Sequence, residues 1–265
     1  MKKLICILTY LCCATQLYSF TPVASNYEIA VGNDLKLVSQ EKQEDNPAAK
    51  YSIHIKYPQF TSSKLSPAAQ LFDADMQKFA IDEIAEFKNR LTELEKEPIN
   101  IPADLSNSFE INFQAGVFNV ADNKLVVIRF NKESMYAGAA HPSHEIEVYN
   151  FDLTAGRKLQ LSDLFKPQSN YLKILSDFCY AQLSKHFTNA DDQVLRKGTA
   201  PKAQNFANWN LEPDGILIIF DEYQVAAYVD GQPEVFVPYK ILEKAILPTA
   251  IIETCIKNPK RCSAI

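Results

Sequence analysis

The sequence predicts an α+β fold in which an antiparallel β-sheet is packed by two main helices. Stretches with alternating apolar residues occur before, between and after two long segments with helical periodicity. The order is strands, helix, strands, helix, strands, without the regular alternation of a doubly wound parallel sheet. The chain has 265 residues, of which 47% are hydrophobic and 22% charged. This composition is typical of a globular protein and excludes disorder of the whole chain.

The first segment predicts export. Met1–Lys3 is basic and residues 4–14 form an apolar run, which is the pattern of a secretory signal peptide. We expect cleavage after Ser19; the alternatives are an uncleaved anchor or a lipoprotein. The run is too short to span a bilayer, so the mature chain is expected to be soluble, periplasmic or secreted, and without a membrane span. Loss of Lys2 and Lys3 changes the net charge from −5 to −7.

The first half of the mature chain predicts strands on both sides of a long helix. Residues 27–38 can hold one strand, residues 40–50 are polar and favour a linker or loop, and residues 51–57 alternate strictly. Ser66 and Pro67 are typical of an N-cap and a first helical position. Apolar residues then recur at three- and four-residue spacing until Pro98, which indicates an amphipathic helix.

The second half predicts further strands around a second helix. This helix covers residues 170–187, with Leu175, Cys179 and Leu183 on its buried face. A short helix is expected at residues 238–245. Strands are expected at residues 109–113, 124–130, 144–151, 158–161, 216–220, 224–229 and 234–237, most of them separated by turn residues.

Several function classes are excluded by composition and spacing. The chain has seven glycines, and no two lie within ten positions of each other. Dinucleotide-binding loops, P-loops and the G-x-S-x-G nucleophile turn all need closely spaced glycines. A sequence pI near 5.5 argues against nucleic acid as a partner. We therefore expect no nucleic-acid binding and no cofactor.

One local concentration of histidines occurs, at His141-Pro-Ser-His144. Imidazoles suit zinc, but ligands three residues apart at the start of a strand point to opposite faces. The sequence therefore predicts no metal site and favours histidines of a loop or a binding surface. A catalytic triad assembled in space around His141 or His144 is the enzyme alternative.

Two tyrosine-containing segments predict a recognition surface, because tyrosine offers a large apolar ring with a polar tip. One is the small-residue loop at 136–141, and the other is the aromatic segment at 220–231. The alternative is that these tyrosines cover a sheet edge. The predicted ligand-binding residues are Tyr136, Gly138, His141, His144, Tyr223, Tyr228 and Gly231. Asp221 and Glu222 are interpreted as solvated turn residues.

The cysteines agree with export. Cys255 and Cys262 enclose a short polar loop, which predicts a disulfide in an oxidising compartment. Cys179 is expected to be a buried thiol without a catalytic role, because its neighbours are apolar. Three reduced thiols remain the alternative.

Four stretches together resemble one family, at residues 136–141, 150–165, 213–231 and 237–239. They are similar to the extracytoplasmic domain found in the RsiV anti-sigma factor and in the non-catalytic part of the PdaC peptidoglycan deacetylase. Residues 51–60 and the following helix resemble the domain that usually precedes it. The string from Asn150 to Phe165 carries most of the resemblance.

The resemblance implies an α+β fold and a role at the cell wall. The RsiV member implies protein recognition, namely of lysozyme, and the members attached to enzymes imply an accessory role. Ala139 and Pro142 depart from the glycines of the family loop. The deacetylase metal-ligand set is not visible, so that activity is not carried over.

The resemblance also divides the chain. We expect a signal peptide (1–19), an N-terminal segment (20–48), a PdaC-like subdomain (49–140), an RsiV-like subdomain (141–248) and a C-terminal tail (249–265). The predicted function is a non-enzymatic binding module of the cell envelope that recognises a lysozyme-like protein or cell-wall glycan. The alternatives are an esterase-like hydrolase and a structural envelope protein without a dissociable ligand.

Overall fold

A computed structural model describes residues 27–32, 34–96, 105–120, 122–187 and 191–264. The predicted signal peptide lies outside these residues. The architecture is mixed, with helices packed on a mostly antiparallel sheet, which confirms the predicted fold class. Within the described residues, no helix is both long and apolar enough to cross a membrane.

The larger sheet has eight strands in the order β1-β2-β3-β4-β5-β6-β7, with β11 beside the second half of β4. All neighbours are antiparallel except β3 and β4, which are parallel. The strands are β1 (Glu28–Ala30), β2 (Lys36–Asn46), β3 (Tyr51–Thr61), β4 (Asn107–Val120), β5 (Asn123–Met135), β6 (Ser143–Asp152), β7 (Arg157–Lys158) and β11 (Cys262–Ala264).

The prediction of a linker at residues 40–50 was wrong for most of that segment. Lys36–Asn46 forms strand β2 and pairs with β3 along its whole length. Its side chains are polar because much of this strand is exposed, and backbone hydrogen bonds do not require apolar side chains. The turn between β2 and β3 ends at Lys50, which has a φ of 52°.

Helix α1 (Pro67–Leu94) supplies the connection that a parallel strand pair requires. Ser66 is its N-cap, as predicted, and its side chain accepts the Ala69 N–H at 3.2 Å. The apolar face of α1 packs on the larger sheet, where Phe72 is fully buried.

The C-terminal part adds a second sheet and four helices within the described residues. The smaller sheet has the order β10-β9-β8 and is antiparallel. These elements are α2 (Tyr171–His186), α3 (Asp192–Gly198), β8 (Trp209–Glu212), β9 (Gly215–Ile219), β10 (Glu234–Pro238), α4 (Tyr239–Leu242) and α5 (Glu253–Lys257).

The strand predicted at residues 224–229 is not present. The segment between β9 and β10 is a turn followed by a short 3-10 helix, Tyr228–Asp230. Val225 is buried whereas Val229 is 89% exposed, so the apolar run does not mark one face of a sheet.

Strand β5 is shared by two hydrophobic cores. Leu125 and Val127 face the core that contains α2 and the smaller sheet. Val126, Ile128 and Phe130 face the core under α1. Burial on both faces explains why this strand has a continuous apolar run rather than alternation. β5 also pairs with β6 across the predicted boundary between residues 140 and 141.

Two buried asparagines join the sheets. The Asn150 side chain donates to the Trp209 carbonyl at 2.8 Å and accepts the Leu211 N–H at 3.0 Å. Asn210 donates to the Ile128 carbonyl at 3.3 Å. Strand β8 is thereby tied to β5 and β6 by directional bonds.

The three cysteines of the C-terminal part lie in buried positions. A disulfide links Cys255 to Cys262 in the structure, and it connects α5 to β11. Cys179 is a free thiol on α2, fully buried as expected. Burial raises its pKa to about 12, so this thiol is unreactive in the folded protein.

Candidate functional site

The structure brings together four of the predicted site residues. The rings of His141 and Tyr228 lie 4.1 Å apart, and Tyr223 lies 5.7 Å from Tyr228. The ring of His144 lies 6.2 Å from that of Tyr228. We call His141, Tyr223 and Tyr228 the aromatic tip. Residues more than 80 positions apart in the sequence thus form one surface cluster.

Hydrogen bonds fix the loop between β9 and β10 against the start of β6. The Tyr228 hydroxyl donates to the Pro142 carbonyl at 3.2 Å. The Gln232 amide donates to the His144 carbonyl at 3.3 Å. Below the tip, the His144 ring Nδ1 lies 2.8 Å from Glu222. These contacts pre-organise the tip, which reduces the entropy that a ligand would have to remove.

His144 lies between two carboxylates. Its Nδ1 contacts Glu222, and its Nε2 lies 3.5 Å from Glu133. Glu222 was interpreted as a solvated turn residue, which was wrong: only 11% of its side chain is exposed. Neither ring nitrogen is directed at a hydroxyl nucleophile in these contacts. The arrangement orients the imidazole but does not build the nucleophile–base pair of a triad.

Tyr223 has an unusual backbone conformation. Its φ is 62°, in the left-handed region that bulky residues rarely adopt. The residue is nevertheless 59% exposed, so core packing does not account for this conformation. Such strain costs about 1 to 3 kcal/mol and tends to occur at functional sites.

The two predicted glycines serve as turn residues. Gly231 has a φ of 67° and lines a cavity of about 240 Å³ together with His144 and Glu222. Gly138 has a φ of 90° in an exposed turn between β5 and β6. Both positions favour glycine because a Cβ would be strained at these angles.

Tyr136 lies apart from the aromatic tip. Its ring packs on Phe87 of α1 at 5.7 Å, and it lines a larger cavity of about 630 Å³ between α1 and strands β4–β6. Lys132 and Glu145 line this cavity and also the smaller one beside His144. The sequence grouped Tyr136 with His141, whereas the structure assigns them to neighbouring sites.

Metal coordination is not supported by the geometry of the described residues, among which no group of three or more His, Cys, Asp and Glu side chains could hold an ion. His141 Nδ1 contacts the Pro142 carbonyl at 2.8 Å, whereas His144 contacts Glu222. The two imidazoles therefore have separate partners.

Part of this chain matches a known protein family. Residues 162–240 match the model of a family described as "Protein of unknown function (DUF3298)". The predicted family resemblance is confirmed. The matched residues include the Tyr223 and Tyr228 side of the aromatic tip.

A curated relative covers more of the chain. The peptidoglycan-N-acetylmuramic acid deacetylase PdaC of Bacillus subtilis (strain 168) is 28% identical over 214 residues, which are 80% of this chain. The chain spans only 43% of the length of PdaC. This similarity therefore concerns part of the relative and not the whole enzyme.

Two solved structures have the same fold. A DUF3298 family member from Bacteroides fragilis has a TM-score of 0.58 at 20% identity, covering 83% of this chain and 96% of its own. A DUF3298 family protein from Pseudomonas aeruginosa PAO1 has a TM-score of 0.54 at 18% identity, covering 81% and 94%. At these identities, the likeness concerns the fold alone.

Proposed function

We propose that this chain is an exported, non-enzymatic recognition module of the cell envelope, and that the aromatic tip binds a basic protein such as a lysozyme-like hydrolase. The proposal rests on the conformation of Tyr223, which is exposed and yet held in a strained backbone conformation. Strain at an exposed aromatic residue that the core does not need is expected where the ring contacts a ligand.

The chemistry around the tip favours a protein ligand with positive charge. Tyrosine rings are common anchors of protein interfaces. Glu133 lies 3.5 Å from His144, and more than half of its side chain is exposed. Together with the net charge of −7 expected after loss of the signal peptide, this carboxylate would attract a basic partner and speed its association.

The comparison with PdaC bears on the cellular compartment of this chain and on a second class of ligand. PdaC is named as a peptidoglycan deacetylase, and the chain matches less than half of its length. This supports a place in the cell envelope, while export itself is predicted from residues 1–19. Cell-wall glycan is the other ligand, and the binding experiment below distinguishes it from a protein.

The binding experiment uses the mature chain, residues 20–265, with immobilised lysozyme and insoluble peptidoglycan as parallel baits at low and moderate salt. We expect saturable retention on lysozyme that weakens with salt. Changing both Tyr223 and Tyr228 to alanine should reduce it about tenfold or more, since each is an interface aromatic. Ile81→Ala, which removes an exposed apolar side chain on α1, is the matched control and should change little.

Two outcomes would overturn the protein-binding proposal. Retention on lysozyme that survives the double change would show that the tip is not the contact surface. Retention on peptidoglycan alone would assign a glycan ligand. Circular dichroism of each variant shows whether its fold is retained.

The hydrolase alternative rests on the His144–Glu222 contact, because an imidazole oriented by a carboxylate is part of a catalytic triad. The position of Glu133 at Nε2 disfavours it. Turnover of chromogenic esters that falls by 100-fold or so in His144→Ala would support this alternative. Absence of turnover, or turnover unchanged in His141→Ala and His144→Ala, would remove it.

A further inference from the structure

The 630 Å³ cavity between α1 and strands β4–β6 has the features of a second binding site. We call it the acidic cleft. One wall is a single face of α1, because Glu83, Phe87 and Arg90 follow each other at helical spacing. Its volume is typical of pockets that hold small ligands. Its lining includes Glu83, Glu86, Phe87, Lys132, Tyr136 and Glu145.

An aromatic stack forms the apolar part of the acidic cleft. Phe109 and Phe87 are parallel within 11° at 5.0 Å, and Tyr136 continues the stack from Phe87 at 5.7 Å. Phe87 and Phe109 are buried, whereas Tyr136 is half-buried and lies at the cleft. Burial raises the pKa of Tyr136, so its hydroxyl stays neutral. A flat apolar face with a polar edge is thus available to a ligand.

Charged groups line the base of the cleft. Glu83 and Lys132 form an ion pair at 2.9 Å with only 11% and 14% of their side chains exposed. Burial of such a pair contributes little to stability, because desolvation offsets the attraction. Lys132 also contacts Glu145 at 3.7 Å and Glu147 at 3.5 Å. Its single charge is therefore shared among three carboxylates.

The remaining charge is negative. The cleft is lined by Glu83, Glu86, Glu93 and Glu145, against the two cations Arg90 and Lys132. Glu86 is exposed, and 66% of the Glu145 side chain is exposed. These two carboxylates can accept hydrogen bonds from a cation without first breaking the buried pair.

We propose that the acidic cleft binds an amino sugar with a free, protonated amine. The sugar ring packs on the face of Tyr136, and its ammonium group contacts Glu86 and Glu145. Asn89 and Ser143, which also line the cleft, supply hydrogen-bond partners for sugar hydroxyls. A lysine side chain can use only the carboxylates, whereas a sugar can use these polar groups as well, which is why we assign a sugar rather than a lysine side chain to the cleft.

This site is independent of the ligand at the aromatic tip. The tip uses His141, Tyr223 and Tyr228, whereas the cleft proposal uses Glu86, Tyr136 and Glu145. Changes in one set can therefore be tested for binding at the other, and the two proposals fail separately.

The test compares two probes that differ in the charge of the amine. Calorimetry at pH 6 with the mature chain would use a glucosamine tetramer and an N-acetylglucosamine tetramer. We expect the glucosamine tetramer to bind about tenfold more tightly or better, because only it carries ammonium groups. A third titration with tetralysine measures the contribution of charge alone.

Variants localise the binding to the cleft. Glu86→Gln combined with Glu145→Gln should weaken binding of the glucosamine tetramer about tenfold or more. Tyr136→Ala should do the same, while Tyr136→Phe keeps the ring and should stay within a few-fold of the wild type. Glu243→Gln removes an exposed carboxylate elsewhere and is the matched control for charge.

Several outcomes would overturn the inference. Equal binding of the two tetramers would exclude recognition of the amine, and absence of binding by both would exclude the site. Tetralysine that binds as tightly, with the same dependence on Glu86 and Glu145, would assign a basic peptide instead. Unfolding curves of the variants separate loss of binding from loss of fold.

Discussion

The two faces of the eight-stranded sheet are covered in different ways. One face carries the large aromatic rings of Phe113, Phe130 and Phe151, which pack in one core with Phe72 of the single helix α1. The other face packs mainly aliphatic residues against α2 and a second sheet, with Asn150 bonded across the gap. A helix is about 10 Å wide and strands are about 4.8 Å apart, so one helix covers only two or three strands. The helix-covered face therefore leaves room for the acidic cleft at its margin.

The largest expected effect tests the aromatic face. Phe72 is fully buried and contacts the rings of Phe60, Tyr149 and Phe151. Phe72→Ala should lower the free energy of unfolding by about 3 to 5 kcal/mol, because it removes apolar burial and leaves a cavity. Urea unfolding measures the change. Leu71 is 55% exposed, so Leu71→Ala is the neighbouring control; an equal loss in both variants would contradict this account.

The second-largest expected effect concerns the other face of the sheet, where Asn150 bonds to strand β8. Asn150→Ala leaves the buried Trp209 carbonyl and Leu211 N–H without their side-chain partner. We expect a loss of about 2 to 4 kcal/mol, since each unsatisfied group costs about 1 to 3 kcal/mol when buried. Urea unfolding again gives the value, with the exposed Asn112→Ala as control. A loss below about 1 kcal/mol would mean that aliphatic packing alone holds the sheets together.

A third prediction concerns pH and the aromatic face. Burial raises the pKa of Asp73 from 3.8 to about 6, although its carboxylate accepts the Phe60 N–H at 2.7 Å. The folded protein therefore holds this proton more tightly than the unfolded chain does. The stabilisation of the folded state by this bound proton is fully present below about pH 4 and is lost as the pH rises through about 6. The change should be roughly 3 kcal/mol, from a shift of about two pKa units.

Asp73→Asn isolates this contribution. The amide oxygen can still accept the Phe60 N–H, but the side chain no longer titrates. Unfolding curves between pH 4 and pH 7 should therefore fall less steeply in Asp73→Asn than in the wild type. The exposed Asp82→Asn is the control, and identical slopes in all three proteins would refute the assignment.

The smallest expected effect lies in the loop that carries the aromatic tip. Tyr223→Gly and Tyr223→Ala both remove the ring, but only glycine is relaxed at a φ of 62°. Tyr223→Gly should therefore unfold with a free energy about 1 kcal/mol higher than Tyr223→Ala. Thermal unfolding of the two variants gives the difference. Equal stability of the two variants would show that Tyr223 is not strained, and the proposed function depends on that strain.

Periodicity was sufficient to predict most of the fold. The N-cap at Ser66, the apolar stripe of α2 and the run in β5 are local patterns with a direct physical cause. The same rule failed at β2 and at residues 224–229. Strand β2 has polar side chains, so its backbone pairing leaves no apolar pattern in the sequence. Residues 224–229 are largely apolar and resemble a strand in sequence, but they form a loop.

The site was predictable only in part, because its contacts join distant residues. Histidine and tyrosine are residue types common in binding surfaces, which is why the sequence predicted one at His144, Tyr223 and Tyr228. The structure places these three residues together. The contact of His144 with Glu222 spans 78 positions, and no local spacing indicates it. The acidic cleft is equally non-local, since α1 and β4–β6 supply its opposite walls.

The position of β5 has a consequence for engineering this chain. The family match begins at residue 162, but Leu125 and Val127 of β5 complete the core that the matched residues build. A fragment cut at residue 162 would expose that apolar face to water and would tend to aggregate. Any transplant of the aromatic tip into another protein must therefore carry β5 and β6 with it, so the smallest transferable unit is larger than the matched sequence.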